Sequence, residues 1–344
     1  MHAWPYVLGF APVMLFLAGL RVMDSYQLVH PRPLALAMAL GSVAAALAYG
    51  VNHALRASLH VDVEMLRHVI GPVVEECLKA LAVWWLLQRD RAGFLVDAAI
   101  LGFAVGTGFA LVENLYYVGA LADPSPALWL ARGLGTAVMH GSTAAVVAIL
   151  AKELEERHAR GLAGATLTGV PLAIVVHAAF NALPFHPLLT TAGLLVLMPL
   201  LLVAVYERSE RLTRSWIVTG FDSEVEMLEQ ILGQGVRDTA VGRYLETLRR
   251  RFPPLVVADL LCLLRIHLEL ALRAKGMLIA RAAGIEVRPN ADVRANLVEL
   301  HHLERTVGAT GRLAILPLRR TRSRDLWQIM LLERTAGRGA RRGS

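Results

Sequence analysis

The stretch GPVVEECLKALAVWWLLQ, residues 71–88, sets two carboxylates and an amine inside an otherwise apolar run: Glu75, Glu76 and Lys79. At about 100° per residue, Lys79 lies about 40° from Glu75 and about 60° from Glu76 on its other side, one helical turn further on. Carboxylates placed like this can divide labour, one acting as a base and the other kept protonated or oriented by the amine. The plainer alternative is an ion cluster that only ties helices together. Three further apolar runs carry polar residues of the same kind. LGFAVGTGFALVENLYYVGAL holds Glu113 and Asn114, with Phe109 one turn before Glu113 and on the same face. GTAVMHGSTAAVV holds His140, and VVHAAFNAL holds His177 and Asn181 at i,i+4, again on one face. A lone histidine in an apolar helix is more often interhelical glue than a metal ligand. Two histidines, three glutamates and an asparagine in four successive runs make a reacting cluster the better reading.

Peptide hydrolysis needs a water, a base to activate it and a stabiliser for the oxyanion. Glutamate supplies the base, and an asparagine amide can donate to the oxyanion. The histidines either bind a metal or hold the water by hydrogen bonds. A zinc site of His140, His177 and a glutamate such as Glu113, with one position left for water, is chemically sound. A metal-free glutamate–histidine mechanism is equally so. The spacing does not choose between them, because no single helix carries HExxH.

These residues need elements to position them, and the composition says which. The chain has 344 residues, 56% of them hydrophobic, and a mean hydropathy of +0.50, whereas soluble domains lie nearer 45–50% apolar. Runs close to the length of a bilayer span recur at 5–22, 33–55, 66–87, 94–120, 127–151, 163–184 and 187–207, then stop. The expectation is an all-α polytopic membrane bundle of about seven transmembrane helices over 1–207, followed by a cytoplasmic helical domain over 208–344. The first run has no basic leader and no small-residue cleavage site, so it reads as a retained helix. A GxxxG pair, Gly102 and Gly106, and a further flat spot at Gly108 predict a closely packed fourth span.

Charge sets the orientation. Arg21, Arg32, Arg89, Arg91, Lys152, Arg157, Arg160, Arg208, Arg211 and Arg214 cluster on one side, with Arg56 and Arg67 the exceptions. The positive-inside rule then puts the N-terminus outside and the C-terminus in the cytoplasm of a cell-membrane protein. On that orientation all the polar residues fall between the midplane and the outer face, roughly 10–20 Å deep at 1.5 Å per residue. Arg132 lies near a span end, where it snorkels. The pI of about 9.8 reflects arginines beside spans and in the tail GRGARRGS, where they meet anionic lipid. No zinc-finger spacing, RNP-like aromatic motif or phosphate loop points to nucleic acid. Two cysteines, Cys77 and Cys262, supply neither a disulfide framework nor a CxxC site.

Beyond residue 208 the texture is amphipathic. Helices are expected in DSEVEMLEQILGQG (starting near Asp222 and Ser223), VGRYLETLRRRF, LVVADLLCLLRIHLELALRAKGMLIARAAG (closed by Gly284), DVRANLVELHHLERTVG and RDLWQIMLLE. His301 and His302 are adjacent and read as surface residues. No catalytic constellation appears here, and the region reads as regulatory or scaffolding with an unknown cytoplasmic partner.

The motifs EECLK (Glu75 to Lys79), FALVEN (Phe109 to Asn114), His140 in its span and HAAFN (His177 to Asn181) resemble, in order and on successive spans, those of the PrsW family of intramembrane proteases. That family is grouped with CAAX prenyl endopeptidases and bacteriocin-processing relatives. The resemblance covers residues 60–185. It implies regulated proteolysis: an outer-side cut in a membrane-anchored substrate, an anti-sigma factor in the best-known case. It also implies that Glu75 and Glu76 are catalytic, that Glu113, His140 and His177 bind the water or a metal, and that Asn181 assists, with Lys79 and Asn114 in support. Glu76→Gln is then expected to leave a folded, inactive protein. Two rivals stand beside it. A proton-coupled transporter would need a relay across the whole bilayer, yet polar residues thin out in the inner half and no inverted repeat is visible. A non-catalytic receptor or scaffold, whose cytoplasmic helices bind a partner, would keep its function with Glu75, Glu76, His140 and His177 all made apolar.

Overall fold

The computed structural model describes residues 4–22, 29–89, 92–120, 126, 129, 131–157, 161–182, 187–233, 235–285, 287, 291–318, 328–329 and 331–333. All secondary structure among them is helical. The break between the sixth and seventh apolar runs at Pro184, the positive charges at Arg91 and Arg160, the Arg132 side chain, half of the RDLWQIMLLE segment and the basic tail lie outside the described residues.

Helices occupy each of the seven apolar runs: α1 (Trp4–Val22), α2 (Pro31–Leu59), α3 (Gly71–Gln88), α4 (Leu95–Ala120), α5 (Ala137–Arg157), α6 (Leu162–Ala182) and α7 (Pro187–Leu232). Five of them, α2 and α4–α7, contain stretches long and apolar enough to cross a bilayer. The other two differ for physical reasons. α1 offers only a shorter apolar stretch, Tyr6–Val22, and α3 carries Glu75, Glu76 and Lys79.

The chain divides into two compact units, 1–210 and 211–344. In the first, α4 is the axis. It is buried almost continuously from Leu95 to Ala110 and packs against α1, α2 and α5. Close approach explains the small residues. A Cβ on Gly102 would stand 2.6 Å from the Ala144 carbonyl oxygen, and one on Gly106 would collide with the His140 backbone. The GxxxG pair is thus the surface on which α5 rests, and it brings His140 against α4. Asp97 anchors the start of α4 by accepting the Gly93 and Phe94 N–H groups at 2.9 and 3.1 Å, two donors that the first turn leaves without helical partners.

The entry to α3 is irregular, and proline is the reason. A π-turn spans Leu66–Ile70, and the Gly71 N–H reaches back five residues to the Leu66 carbonyl. Pro72 has no N–H, so the Arg67 carbonyl finds neither its fourth nor its fifth following residue as donor.

In the second unit, α8 (Ala240–Leu248), α9 (Pro254–Ala282) and α10 (Ala291–Ala314) surround a core that includes Val241, Leu245, Leu260, Leu263, Leu300 and Leu303. Gly284, at φ 74°, ends α9. The Ile285 N–H bonds the Ala280 carbonyl and the Gly284 N–H bonds the Arg281 carbonyl, the paired closure that a left-handed residue permits. Asp222 and Ser223 do not start a helix. α7 runs through them, and the Ser223 hydroxyl donates to the Gly220 carbonyl 3.1 Å away. The local preference for a cap is outvoted by helix continuity. His301 and His302 are exposed, as expected.

Candidate active site

Four helices deliver the polar residues to one place. α3 brings Glu75, Glu76 and Lys79, α4 brings Glu113, α5 brings His140, and α6 brings His177. Glu76, Lys79, His140 and His177 are all at least 97% buried. The base of the cluster is the Glu76–Lys79 pair. Lys79 Nζ donates to Glu76 Oε1 at 2.6 Å, lies 3.0 Å from His140 Nδ1 and donates to the Thr143 hydroxyl at 3.2 Å. It also sits 5.1 Å from the centroid of the Phe109 ring. An ammonium with three donors is therefore fully used, which is what a buried charge requires.

Glu76 Oε1 collects a second strong partner, His177 Nδ1 at 2.7 Å, while Oε2 is buried with no hydrogen-bond partner among the described residues. A carboxylate can only accept, so His177 carries a proton on Nδ1, and it is Nε2 that the neutral ring would offer to a ligand. That nitrogen faces Glu75 Oε2 at 3.8 Å. His140 is fixed from both sides. Lys79 donates to its Nδ1, so its Nε2–H donates to Glu113 Oε2 at 2.8 Å. The two imidazoles meet edge to face, 4.9 Å between centroids and 89° between planes. Phe109 packs on His140 at 4.8 Å, on the face it shares with Glu113.

The three glutamates are not alike. The Glu76 side chain is wholly buried, whereas those of Glu75 and Glu113 keep 20% and 26% of their surface. Glu75 and Glu113 are thus the carboxylates left partly exposed, and Glu76 is the one that positions its neighbours.

Two expected participants sit elsewhere. The Asn181 amide donates to the Arg67 carbonyl at 3.0 Å, the acceptor that Pro72 leaves without a helical donor. Asn114 points the other way around α4 and donates to the Gly9 carbonyl at 2.9 Å, fastening α1. Sequence reasoning missed Thr143, which stands one turn after His140 and whose hydroxyl lies 3.3 Å from Glu76 Oε1. Its signal was there in HGST, but a threonine in an apolar helix ordinarily bonds its own backbone, and Thr143 also does so, at 3.2 Å from the His140 carbonyl.

The donors fit a metal ion. Glu75, His140 and His177 each offer a ligand atom within 4.8 Å of the others, and two imidazoles with a carboxylate are the donor set of a zinc hydrolase. The carboxylate in this group is Glu75, while Glu113 holds His140. His177 is already in the tautomer that a metal needs; His140 would first have to exchange its bond to Glu113.

Fold and site together define a multi-pass helical membrane protein with a carboxylate–imidazole centre enclosed by its helices. A family model described as PrsW family intramembrane metalloprotease matches residues 30–205, more than half of the chain, and that range includes Glu75, Glu76, Lys79, Glu113, His140, Thr143 and His177. The chain belongs to that family and is an intramembrane protease. No curated protein and no solved structure matches it.

Proposed function

We propose that the chain hydrolyses a peptide bond of a membrane-anchored protein at Glu75, Glu113, His140 and His177, with Glu76, Lys79 and Thr143 as the frame that holds them. The observation that carries this reading is the division of the carboxylates. One is sealed beneath the histidines, fixing the tautomer of His177 directly and orienting the Lys79 that fixes that of His140, and two remain partly exposed on either side of them.

Glu113 is the general base. Its carboxylate is aimed by the His140 N–H, takes a proton from the attacking water and returns it to the leaving nitrogen, a role worth roughly 10²–10⁴ in rate. His177 Nε2, Glu75 and His140 would hold a divalent metal, with zinc the best match to the donors. The bound ion would acidify water and polarise the scissile carbonyl. Because both His140 nitrogens are engaged, a metal-free variant of the same chemistry, in which Glu113 and His140 act as a hydrogen-bonded pair, is the second reading.

Charge and span length give the placement in the membrane, and the resemblance to the family gives the substrate class and the wider kinship. The chain sits in the cell membrane with seven spans, α3 among them because its charges face the cluster. Its N-terminus is outside, its C-terminal helices are cytoplasmic and regulatory, and it cuts near the outer side. The substrate is a membrane-anchored signalling protein of the anti-sigma-factor kind, and the kinship reaches to the CAAX and bacteriocin-processing proteases. The test labels new N-termini in membranes of cells carrying the native chain or Glu113→Gln at equal abundance. Outer-side termini present only with the native chain are expected, and identical sets would overturn the proposal.

A further inference from the structure

Among the charged and imidazole groups of the centre stands an apolar side chain to which no role has fallen, Phe109. It is 2% exposed and sits on α4 one turn before Glu113. Its ring meets two site residues at once. The His140 imidazole lies 4.8 Å away between centroids, with 38° between planes, and Lys79 Nζ stands over the ring, 5.1 Å from its centroid. The backbone that carries the ring is fixed from α2. A Cβ on Gly41 would stand 3.0 Å from the Phe109 nitrogen, and one on Gly108 would collide with the Met38 carbonyl. Ala44, Ala45 and Ala48 of α2 form an apolar cluster with Phe109, and Val74 and Leu78 of α3 pack against it.

Packing alone would be served by a leucine in that place. What a leucine lacks is the negative face of an aromatic ring, which attracts a cation within about 6 Å of its centroid, most strongly where water is excluded. Lys79 is such a cation. Its three donors are spent on Glu76, His140 and Thr143, so the ring meets its charge and not a further N–H. The attraction bears on the chemistry because Lys79 addresses both halves of the centre. It pairs with Glu76, which holds His177, and it fixes His140, whose Nε2–H reaches Glu113. Lys79 in another rotamer would leave Glu76 without its counter-charge and His140 without its donor at Nδ1.

We infer that Phe109 is a positioning residue: the face of its ring seats the Lys79 ammonium, and through Lys79 it holds His140 in line with Glu113. The inference rests on the protease reading and adds what keeps the lysine of the frame in its place. It assigns the work to the electronics of the ring and not to its volume, and the two can be separated.

Fluorine withdraws charge from the face of the ring and alters its shape little. Phe109 is replaced by para-fluoro- and by 3,4,5-trifluorophenylalanine through codon suppression, in the native chain and in Lys79→Met. Initial rates of appearance of the new N-termini that depend on Glu113 are measured in cells holding equal amounts of each full-length chain. Melting temperatures are taken on the purified proteins in detergent. With Lys79 present, the rate should fall in steps, reaching about tenfold at three fluorines, and the melting temperature should fall with it. In Lys79→Met, where no cation faces the ring, the melting temperature should not follow the fluorines. A fall in rate smaller than about threefold, or a melting shift that is the same with and without Lys79, overturns the inference, since a ring that only packs would behave in that way. If no terminus depends on Glu113, the protease reading falls first and this one with it. Glu113-dependent cleavage that is indifferent to fluorine removes this inference alone.

Discussion

At the scale of single residues, the site is a lesson in what one buried ion pair can hold. Glu76 Oε1 receives Lys79 and His177 together, so Glu76→Gln would leave a buried ammonium without its counter-charge and give both donors only a neutral amide oxygen. Breaking such a pair costs about 3–5 kcal/mol. Glu76→Gln is therefore expected to lower the melting temperature as well as activity, unlike the clean catalytic variant that the sequence alone led us to expect. Lys79→Met should do likewise. The double variant Glu76→Gln/Lys79→Met should lose less than the sum of the two, with a coupling of about 0.5–3 kcal/mol measurable in a thermal double-mutant cycle. Additive losses would mean that the pair is not the frame of the site. Glu113→Gln, by contrast, touches a partly exposed side chain. It should cut the rate at least about 100-fold while leaving the melting temperature unchanged.

At the scale of elements, helices set positions that no motif encodes. Gly106 lets α5 lie directly on α4 at His140. Gly106→Ala should push the helices apart, costing about 1–3 kcal/mol in detergent melting and most of the activity, although the residue touches no reacting group. A variant with wild-type rate would show that the contact has slack. Asn181 acts on an element too. Asn181→Asp keeps the shape but cannot donate, so it should be as damaging as Asn181→Ala, with both lowering the melting temperature through the π-turn at Leu66–Ile70. If Asn181→Asp retained wild-type stability and only lost rate, the residue would belong to the chemistry instead. These contrasts mark what the sequence could and could not tell. Glu75, Glu76, Lys79, Glu113, His140 and His177 stood out because charge and imidazole are expensive in apolar helices. Which glutamate is sealed, which faces His177 and which faces His140 depends on helix rotation, and no residue type or spacing carries that. Asn181 looked like an oxyanion donor because its i,i+4 spacing from His177 is real. Its actual partner is a carbonyl freed by a proline on another helix, invisible without the packing. Asp222 and Ser223 looked like a helix start because capping residues were weighed without the turn before them.

At the scale of the whole molecule, a helical membrane unit tolerates its charged centre because its own helices supply the partners, and a separate helical unit follows beyond residue 210. The two cysteines, both free, allow the orientation to be read. Cys77 is carried on the site helix α3, and Cys262 lies on α9, exposed. In a Cys77→Ala background, a membrane-impermeant maleimide should label Cys262 only after cells are permeabilised. Labelling of intact cells would invert the topology and move the cut to the other face. The central claim is that α3, α5 and α6 join Glu75, His140 and His177 into one hydrolytic metal centre. The most direct measurement is elemental analysis of the detergent-purified native chain beside His177→Ala and Glu113→Gln. About one zinc per chain in the native protein and in Glu113→Gln, with none in His177→Ala at an unchanged melting temperature, is the predicted result. Equal metal in the native chain and His177→Ala, or none in a native preparation that still cleaves, would contradict it.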